Sequence, residues 1–138
     1  MKSTAKVVAI LALFLVASGA RSQEKVVYHF DSGLAQATKG LRNIYNHLEA
    51  DPKAKIVVVA HADGVDFLME DAKDRLGPFD ARVQDLMGKG VTFEVCEITL
   101  RLRKLKKDQF ILGVEYVHSG VAQITHLQQK EGYAYLKP

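Results

Sequence analysis

Residues 55–60 read Lys55-Ile56-Val57-Val58-Val59-Ala60, an almost unbroken aliphatic run near the middle of the chain. The run lacks the alternation of apolar and polar residues that marks a strand with one face in water. It therefore predicts a central strand that is covered on both faces, as strands are in parallel sheets with helices on both sides. An α/β protein is the fold class that this segment indicates.

The segments on either side of this run alternate between short β-branched stretches and longer stretches with helical spacing. Further strands are predicted at Lys25–Phe30, Val91–Cys96, Val114–Val117 and Tyr133–Leu136. Helices are predicted at Leu34–Leu48, Phe79–Gly88 and Gly120–Gln129, with a short helix from Thr99 and a loop or short helix at His61–Gly77. Five strands separated by helices imply parallel pairing through right-handed crossovers. The sequence therefore predicts one three-layer α/β sandwich over residues 23–138, with a five-stranded, mainly parallel sheet.

Polar residues at the ends of the predicted strands indicate where a site would lie. Asp31 or Ser32 is expected to cap the first helix, and Ser119 to cap the last. In an open α/β sheet the ligand crevice lies beyond the carboxyl ends of the strands, where the strand order reverses. In the strand order 2-1-3-4-5 the first and third strands are neighbours, and they end at Asp31 and Cys96. We therefore expect these two residues to flank one crevice.

The amino terminus has the pattern of an export signal. Lys2 and Lys6 precede the apolar run Val7–Ala17, and the small residues Ser18-Gly19-Ala20 follow it. A membrane anchor is the alternative, but the run is shorter than the ~20 residues that a membrane-spanning helix needs. We predict a cleaved signal at residues 1–22, no stable membrane span after cleavage, and a periplasmic or secreted protein.

Composition and charge describe the remaining chain as an ordinary globular domain. The 138 residues are 48% apolar and 25% charged, with a formal net charge of +3. Removing residues 1–20 takes away two of the 19 basic residues and none of the 16 acidic ones, which leaves +1. A nearly neutral domain gives no reason to expect a nucleic-acid partner. The basic run Arg101–Lys107 is interpreted as a solvated or interfacial face, with an anionic ligand as the alternative.

Cys96 is the only cysteine in the sequence, so an intrachain disulfide is excluded. It lies at the end of the third predicted strand, just before a short helix. Unpaired N–H groups at a helix start favour a thiolate, whereas the neighbouring carboxylate of Glu97 disfavours it. The alternative is that Cys96 is a buried, unreactive residue that packs like a small apolar side chain.

The stretches around this cysteine resemble the DsrE/DsrF-like family, and in particular its secreted branch. The resemblance is carried by Val91–Arg101, Gly113–Ala122, Leu127–Gln129 and Gly132–Pro138. The segments Tyr28–Asp31 and His61–Gly64 agree more loosely.

This resemblance implies a flavodoxin-like α/β domain that assembles into trimers or hexamers. The better-understood members of the family pass sulfur between proteins as a cysteine persulfide, and their sulfur-carrying cysteine matches Cys96. Two features depart from the family pattern. The export signal separates this chain from cytoplasmic relay partners, and Glu97 makes the surroundings of the thiol more acidic.

Two functions of different classes follow. In the first, Cys96 is the nucleophile or persulfide carrier of a sulfur-handling or thiol-redox protein, which is at most a sulfurtransferase-like carrier. The residues predicted to shape its crevice are Asp31, Ser32, Arg101, Tyr116 and His118. A sulfur donor or acceptor protein would be its partner, and no cofactor is expected. In the second, the chain is a non-enzymatic, homo-oligomeric binding or assembly module with an incidental cysteine.

Histidines at strand ends raise the alternative of a metal site. His29, His61 and His118 lie at the ends of predicted strands, where imidazoles could share a rim with Cys96. A thiolate with imidazoles suits zinc or copper. The histidines lack the spacing of a zinc finger or an HExxH helix, so no metal is predicted. The sequence also lacks a GxGxxG or GxxxxGK loop, which argues against the usual kinds of nucleotide binding.

Overall fold

The computed structural model describes residues 22–138. Its strands are β1 (Lys25–Phe30), β2 (Lys55–Ala60), β3 (Lys73–Asp74), β4 (Gly77–Pro78), β5 (Thr92–Cys96), β6 (Glu115–Val117) and β7 (Ala134–Leu136). Its helices are α1 (Gly33–Ala50), α2 (Phe79–Gly88), α3 (Glu97–Arg103) and α4 (Gly120–Glu131), with 3₁₀ helices at Ala62–Leu68 and Lys107–Gln109. The predicted export signal at residues 1–22 lies, apart from Ser22, outside the described residues. Within residues 22–138, no helix has both the length and the apolar character that a membrane span requires.

The main sheet has five strands, all paired in parallel, in the order β6-β5-β2-β1-β7. Helices cover both of its faces, so the predicted α/β class and three-layer sandwich are confirmed. The aliphatic run at residues 55–60 forms β2, the middle strand, and every residue from Ile56 to Ala60 is buried.

The strand order 2-1-3-4-5, on which the expected crevice between Asp31 and Cys96 depended, is not the order in the structure. That order places the second strand at an edge of the sheet, whereas β2 lies between β1 and β5 in the structure. The reason is burial, because a strand whose side chains are aliphatic on both faces is most stable where neighbours cover both faces. As a result, β1 and β5 are separated by a full strand.

Each face of the sheet has its own core. On one face, α1, α2 and the 3₁₀ helix Ala62–Leu68 pack around Phe67, whose ring centroid lies 5.1 Å from Phe30, 5.8 Å from Phe79 and 6.2 Å from Phe93. On the other face, α4 packs on a smaller cluster formed by Val27, Val57, Val59, Ile124, Leu127 and Tyr133. The chain therefore returns across this second face through α4, which begins at the carboxyl ends of the strands.

The antiparallel pair β3–β4 was not predicted, because strands of two residues carry too little periodicity to be recognised. Its position is fixed by the Asp74 carboxylate, which accepts hydrogen bonds from the Arg82 guanidinium at 2.9 and 3.1 Å and from the Thr38 hydroxyl. The hairpin thus ties α1 to α2 on the side of the molecule covered by the larger core.

Glu94 is a buried carboxyl group in the middle of β5, with 7% of its surface exposed. Its Oε1 accepts a hydrogen bond from Gln123 Nε2 at 3.2 Å, whereas Oε2 has no hydrogen-bond partner among the described residues. Burial raises the pKa of Glu94 above its ordinary value, and the nearby charges of Glu115 and Glu131 raise it further. Folding therefore favours the protonated form of this side chain.

The variant Glu94→Gln is expected to be more stable than the parent protein at neutral pH. At acidic pH the free energies of unfolding of the two proteins should be closer to each other. A carboxyl group whose pKa is raised by folding does not lower the free energy of unfolding while it is protonated in both the folded and the unfolded state. It destabilises the fold as the pH rises from its unfolded pKa through its folded pKa. Urea unfolding at pH 4 and pH 7 measures this difference. An equal effect of the substitution at both pH values would show that the Glu94 charge is not the cause.

Candidate functional site

An open cavity of about 420 Å³ lies at the carboxyl ends of β2 and β5, beneath the start of α4. Its apolar wall is formed by Ala62, Ile98, Leu102 and Val121. The polar side chains that line it are His61, Asp63, Cys96, Thr99, Arg103 and Ser119. Leu102 and Val121 are 75% and 58% exposed, so the mouth of the cavity is apolar as well as open.

Gly120 allows the start of α4 to close over this cavity. A Cβ atom at Gly120 would lie 3.2 Å from His61 Cβ, 3.3 Å from Cys96 Cβ and 3.4 Å from Val59 Cγ1. At these distances a methyl group would fit only if the neighbouring side chains moved by a few tenths of an ångström. Ser119 caps α4 as predicted, because its hydroxyl oxygen accepts a hydrogen bond from the Ala122 N–H at 3.3 Å. The backbone N–H groups that begin α4 are thereby brought against Cys96.

The sulfur of Cys96 lies among hydrogen-bond donors. Cys96 is the last residue of β5 and directly precedes α3, and 5% of its surface is exposed. Burial raises the pKa of the thiol, but hydrogen bonds from the backbone N–H groups of Gly120 and Thr99 and from the Thr99 hydroxyl lower it by more. The Ile98 N–H, which also donates to the His118 carbonyl oxygen at 3.2 Å, lowers this pKa by a smaller amount. The net pKa lies below the ordinary value, so folding shifts the balance between thiol and thiolate toward the thiolate.

Thr99 and Arg103, one turn apart on α3, hold the loop after β2 against this sulfur. Thr99 Oγ1 accepts a hydrogen bond from the Ala62 N–H at 2.9 Å, which leaves its own proton free to point at Cys96. Arg103 donates to the Ala62 carbonyl oxygen at 3.0 Å and to the Asp66 carboxylate at 2.7 Å. The bonds that Thr99 and Arg103 make with the backbone of Ala62 fix this residue in place. Its φ of 50° is unusual for a residue with a side chain.

Glu97 does not oppose the thiolate in the way that its sequence position suggested. Its carboxylate accepts a hydrogen bond from Lys107 Nζ at 2.6 Å, at the protein surface. That bond lowers the pKa of Glu97 and partly balances its charge. The largest influences on the pKa of Cys96 are burial and hydrogen bonds.

Arg101 was predicted to shape the crevice, but the structure places it on the exposed side of α3, and Arg103 lines the cavity instead. The difference follows from the spacing of these residues along α3. The sequence predicted a start at Thr99, whereas the helix begins at Glu97. Residues three and four apart share one helix face, so Thr99 and Arg103 face the cavity together.

Tyr116 and His118 are also outside the lining of the cavity. In the register of the sheet Tyr116 is paired with Val95, so its side chain lies on the face opposite Cys96, and its hydroxyl donates to the Lys107 carbonyl oxygen at 3.1 Å. His118 is exposed, and its contribution near the site is a backbone carbonyl that accepts the Ile98 N–H at 3.2 Å.

Asp31 and Ser32 follow β1 and belong to a different cluster, because β2 separates β1 from β5. Ser32 occupies the position before α1, but its hydroxyl donates to Asp31 Oδ1 at 2.6 Å instead of capping the helix. Gln36 Oε1 accepts the N–H groups of both Asp31 and Ser32 at 2.8 Å. The predicted side-chain cap by Asp31 or Ser32 is therefore wrong, since the acceptor comes from inside the helix.

The Asp31 cluster includes two histidines on neighbouring strand ends. His29 Nε2 lies 2.6 Å from His61 Nε2, and Asp31 Oδ2 lies 3.9 Å from His29 Nε2. His61 also lines the cavity above Cys96, so the cluster and the cavity share one side chain. The sequence predicted that His29 and His61 end adjacent strands, which the pairing of β1 with β2 confirms.

Comparison with known protein families gives a match to the model described as "DsrE/DsrF-like family" over residues 11–138, which is most of the chain. The chain belongs to the DsrE/DsrF-like family. The resemblance of the sequence to this family is thus confirmed. None of the curated proteins matches this DsrE/DsrF-like chain.

Two solved structures share the fold. A protein of unknown function from Methanobacterium thermoautotrophicum, MTH1491, is 32% identical, with a TM-score of 0.76 over 84% of this chain and 100% of that one. The ychN protein from E. coli is 16% identical, with a TM-score of 0.68 over 84% of this chain and 99% of its own. The second likeness shows a common fold only.

Proposed function

We propose that this DsrE/DsrF-like protein carries sulfane sulfur on Cys96. The observation that supports the proposal most is the set of donors around the sulfur, contributed by Gly120, Thr99 and Ile98, at the floor of an open cavity. A cysteine that served only as a small apolar residue would need no such donors, because a neutral thiol is a weak acceptor.

The chemistry requires only a thiolate and a persulfide donor. The Cys96 thiolate attacks the terminal sulfur of a donor persulfide, R–S–SH, and forms a new S–S bond. The donor's own S–S bond breaks, and its thiolate leaves with the electron pair, so that the products are Cys96–S–SH and R–S⁻. The reverse attack by an acceptor thiolate returns Cys96 to its starting state. No external oxidant or reductant enters the balance.

The walls of the cavity suit a macromolecular donor or acceptor. Leu102 and Val121 present apolar surface at the mouth, and an exchange between two proteins needs a contact surface around the sulfur. We also propose that the exchange takes place after export, as the amino-terminal pattern predicts. The trimer or hexamer that the resemblance implies stays a prediction.

Treatment of the reduced protein with inorganic polysulfide, followed by intact-mass measurement, tests the proposal. The expected product is one added sulfur, a gain of about 32 Da, which is removed by dithiothreitol and by cyanide. The matched control Cys96→Ser should gain no mass, because the chain has no second cysteine. If the folded protein stays unmodified while the urea-unfolded protein reacts, Cys96 is an incidental buried cysteine and the proposal fails.

A further inference from the structure

The cluster of His29, His61 and Asp31 contains the donor atoms of a metal site. One nitrogen from each histidine and one carboxylate oxygen all lie within 4.8 Å of one another, and all three residues are partly buried. Two imidazoles and a carboxylate form a ligand set that zinc and other divalent first-row metal ions take in proteins. Cys96 is not a member of this group, so the cluster is a separate feature beside the cavity.

The two imidazoles point their Nε2 atoms at each other. Their ring centroids are 4.8 Å apart and the rings are 20° from parallel, while the Nε2 atoms are only 2.6 Å apart. The centroid separation exceeds the nitrogen separation by about two ring radii, which is the geometry of rings that meet edge to edge and not face to face. The two Nε2 atoms therefore face each other directly, and at this distance a single proton shared between them satisfies both nitrogens.

A second layer of contacts fixes the orientation of these ligands. His29 Nδ1 lies 2.6 Å from the hydroxyl oxygen of Tyr135, which leaves Nε2 as the nitrogen that faces His61. Asp31 is held by the hydroxyl of Ser32 and by Lys137 Nζ, which lies 2.6 Å from Asp31 Oδ2. Partners of this kind on the outer atoms of histidine and carboxylate ligands are typical of metal sites.

We propose that His29, His61 and Asp31 bind a divalent first-row transition metal ion at the edge of the Cys96 cavity. Two nitrogen ligands of a tetrahedral zinc ion lie roughly 3.3 Å apart, because each bond is about 2.0–2.1 Å long. The two Nε2 atoms, which are 2.6 Å apart, must therefore separate by roughly 0.7 Å, and the ion replaces the proton between them. His61 lies beyond the end of β2, before the 3₁₀ helix, where a shift of this size breaks no strand pairing.

Lys137 is the one cation that competes for this site among the described residues in contact with Asp31. The Lys137 ammonium donates to Asp31 Oδ2, which is also the oxygen that lies 3.9 Å from His29 Nε2. A divalent ion must share that oxygen with Lys137 or displace it, and the two positive charges repel each other. Removal of the lysine charge should therefore strengthen metal binding, whereas removal of any ligand should weaken it.

Titration of the untagged, metal-free protein with Co²⁺ and Zn²⁺ tests the proposal. The absorption spectrum of Co²⁺ reports nitrogen and oxygen ligation, and competition with a chelator gives the Zn²⁺ affinity. One equivalent is expected to bind. His61→Ala and Asp31→Asn should each lower the affinity at least about 10-fold, Tyr135→Phe should lower it less, and Lys137→Met should raise it.

Two controls separate this site from other modes of binding. His126→Ala removes an exposed histidine on α4 that contacts Glu131, and it should leave the affinity unchanged. Cys96→Ser should also bind as the parent does, and loss of binding in that variant would place the ion on the thiolate instead. Binding that is absent in the parent protein, or that survives His61→Ala in a folded protein, would overturn the proposal. Since Lys137→Met changes no ligand, an unchanged or weaker affinity in it would contradict the assigned position.

Discussion

Replacement of Gly64 by alanine is expected to destabilise the protein by about 3 kcal/mol or more, a large part of the stability of a small domain. A methyl group on Gly64 would lie 2.1 Å from the carbonyl oxygen of Phe30, 2.3 Å from its carbonyl carbon and 2.5 Å from the backbone nitrogen of Asp31. These atoms belong to the backbone at the end of β1, so no side-chain rotation can relieve the overlap. The 3₁₀ helix and β1 would have to separate.

The matched control is Gly88→Ala, at the end of α2. Beyond its chain neighbours and its own helix, no heavy atom of residues 22–138 lies within 4 Å of the added methyl group. Alanine is favoured over glycine in a helix by about 0.5–1 kcal/mol, so this variant should be as stable as the parent or slightly more stable. Urea unfolding monitored by circular dichroism measures both variants. A Gly64→Ala protein as stable as Gly88→Ala would contradict the close packing of β1 on the 3₁₀ helix.

Replacement of Thr99 by valine is expected to slow the alkylation of Cys96 at neutral pH by about 5-fold. Valine keeps the shape of threonine but removes the hydroxyl that donates to the sulfur, and one hydrogen bond contributes about 1 kcal/mol. The loss raises the pKa of the thiol, so a smaller fraction is thiolate at a given pH. Valine also leaves the Ala62 N–H without its acceptor, which should lower the stability of the fold by about 1–3 kcal/mol.

Thr99→Ser is the control that separates these effects, because serine keeps the hydroxyl and loses only a methyl group. Its alkylation rate should stay close to that of the parent protein. Rates of reaction with iodoacetamide at low denaturant concentration, measured beside the unfolding free energy, provide the comparison. Equal rates for the valine and serine variants would show that the Thr99 hydroxyl does not act on the sulfur.

Much of the fold was predictable because burial leaves a direct trace in the sequence. The aliphatic residues 55–60 predicted a central strand, and the predicted helix Phe79–Gly88 has the limits of α2. Pro78 precedes this helix, and Gly88 and Gly90 lie at its end. The order of the strands was not predictable in the same way. Strand order depends on which faces meet in three dimensions. The order 2-1-3-4-5 places the second strand at an edge of the sheet, although the aliphatic composition of β2 indicates a central position.

The sequence predicted that the candidate site lies at the ends of the strands. It did not predict which side chains point into the site. Cys96 does lie at the carboxyl edge of the sheet, as predicted. Tyr116 lies on the other face because β6 pairs with β5 in a register that the sequence does not reveal. Arg103 was missed although it lies four residues after Thr99, a spacing that places both residues on one face of a helix and was a usable signal.

The pH dependence of Cys96 alkylation, measured for the folded protein and for the same protein in urea with a metal chelator present, is the most direct test of this site. A thiol pKa that folding lowers makes the folded protein reach its full rate at lower pH than the unfolded one, whose midpoint should lie near ~8.5. We therefore expect a lower midpoint in the folded state. A folded-state midpoint at or above the unfolded one, or a thiol that reacts only after unfolding, would contradict it.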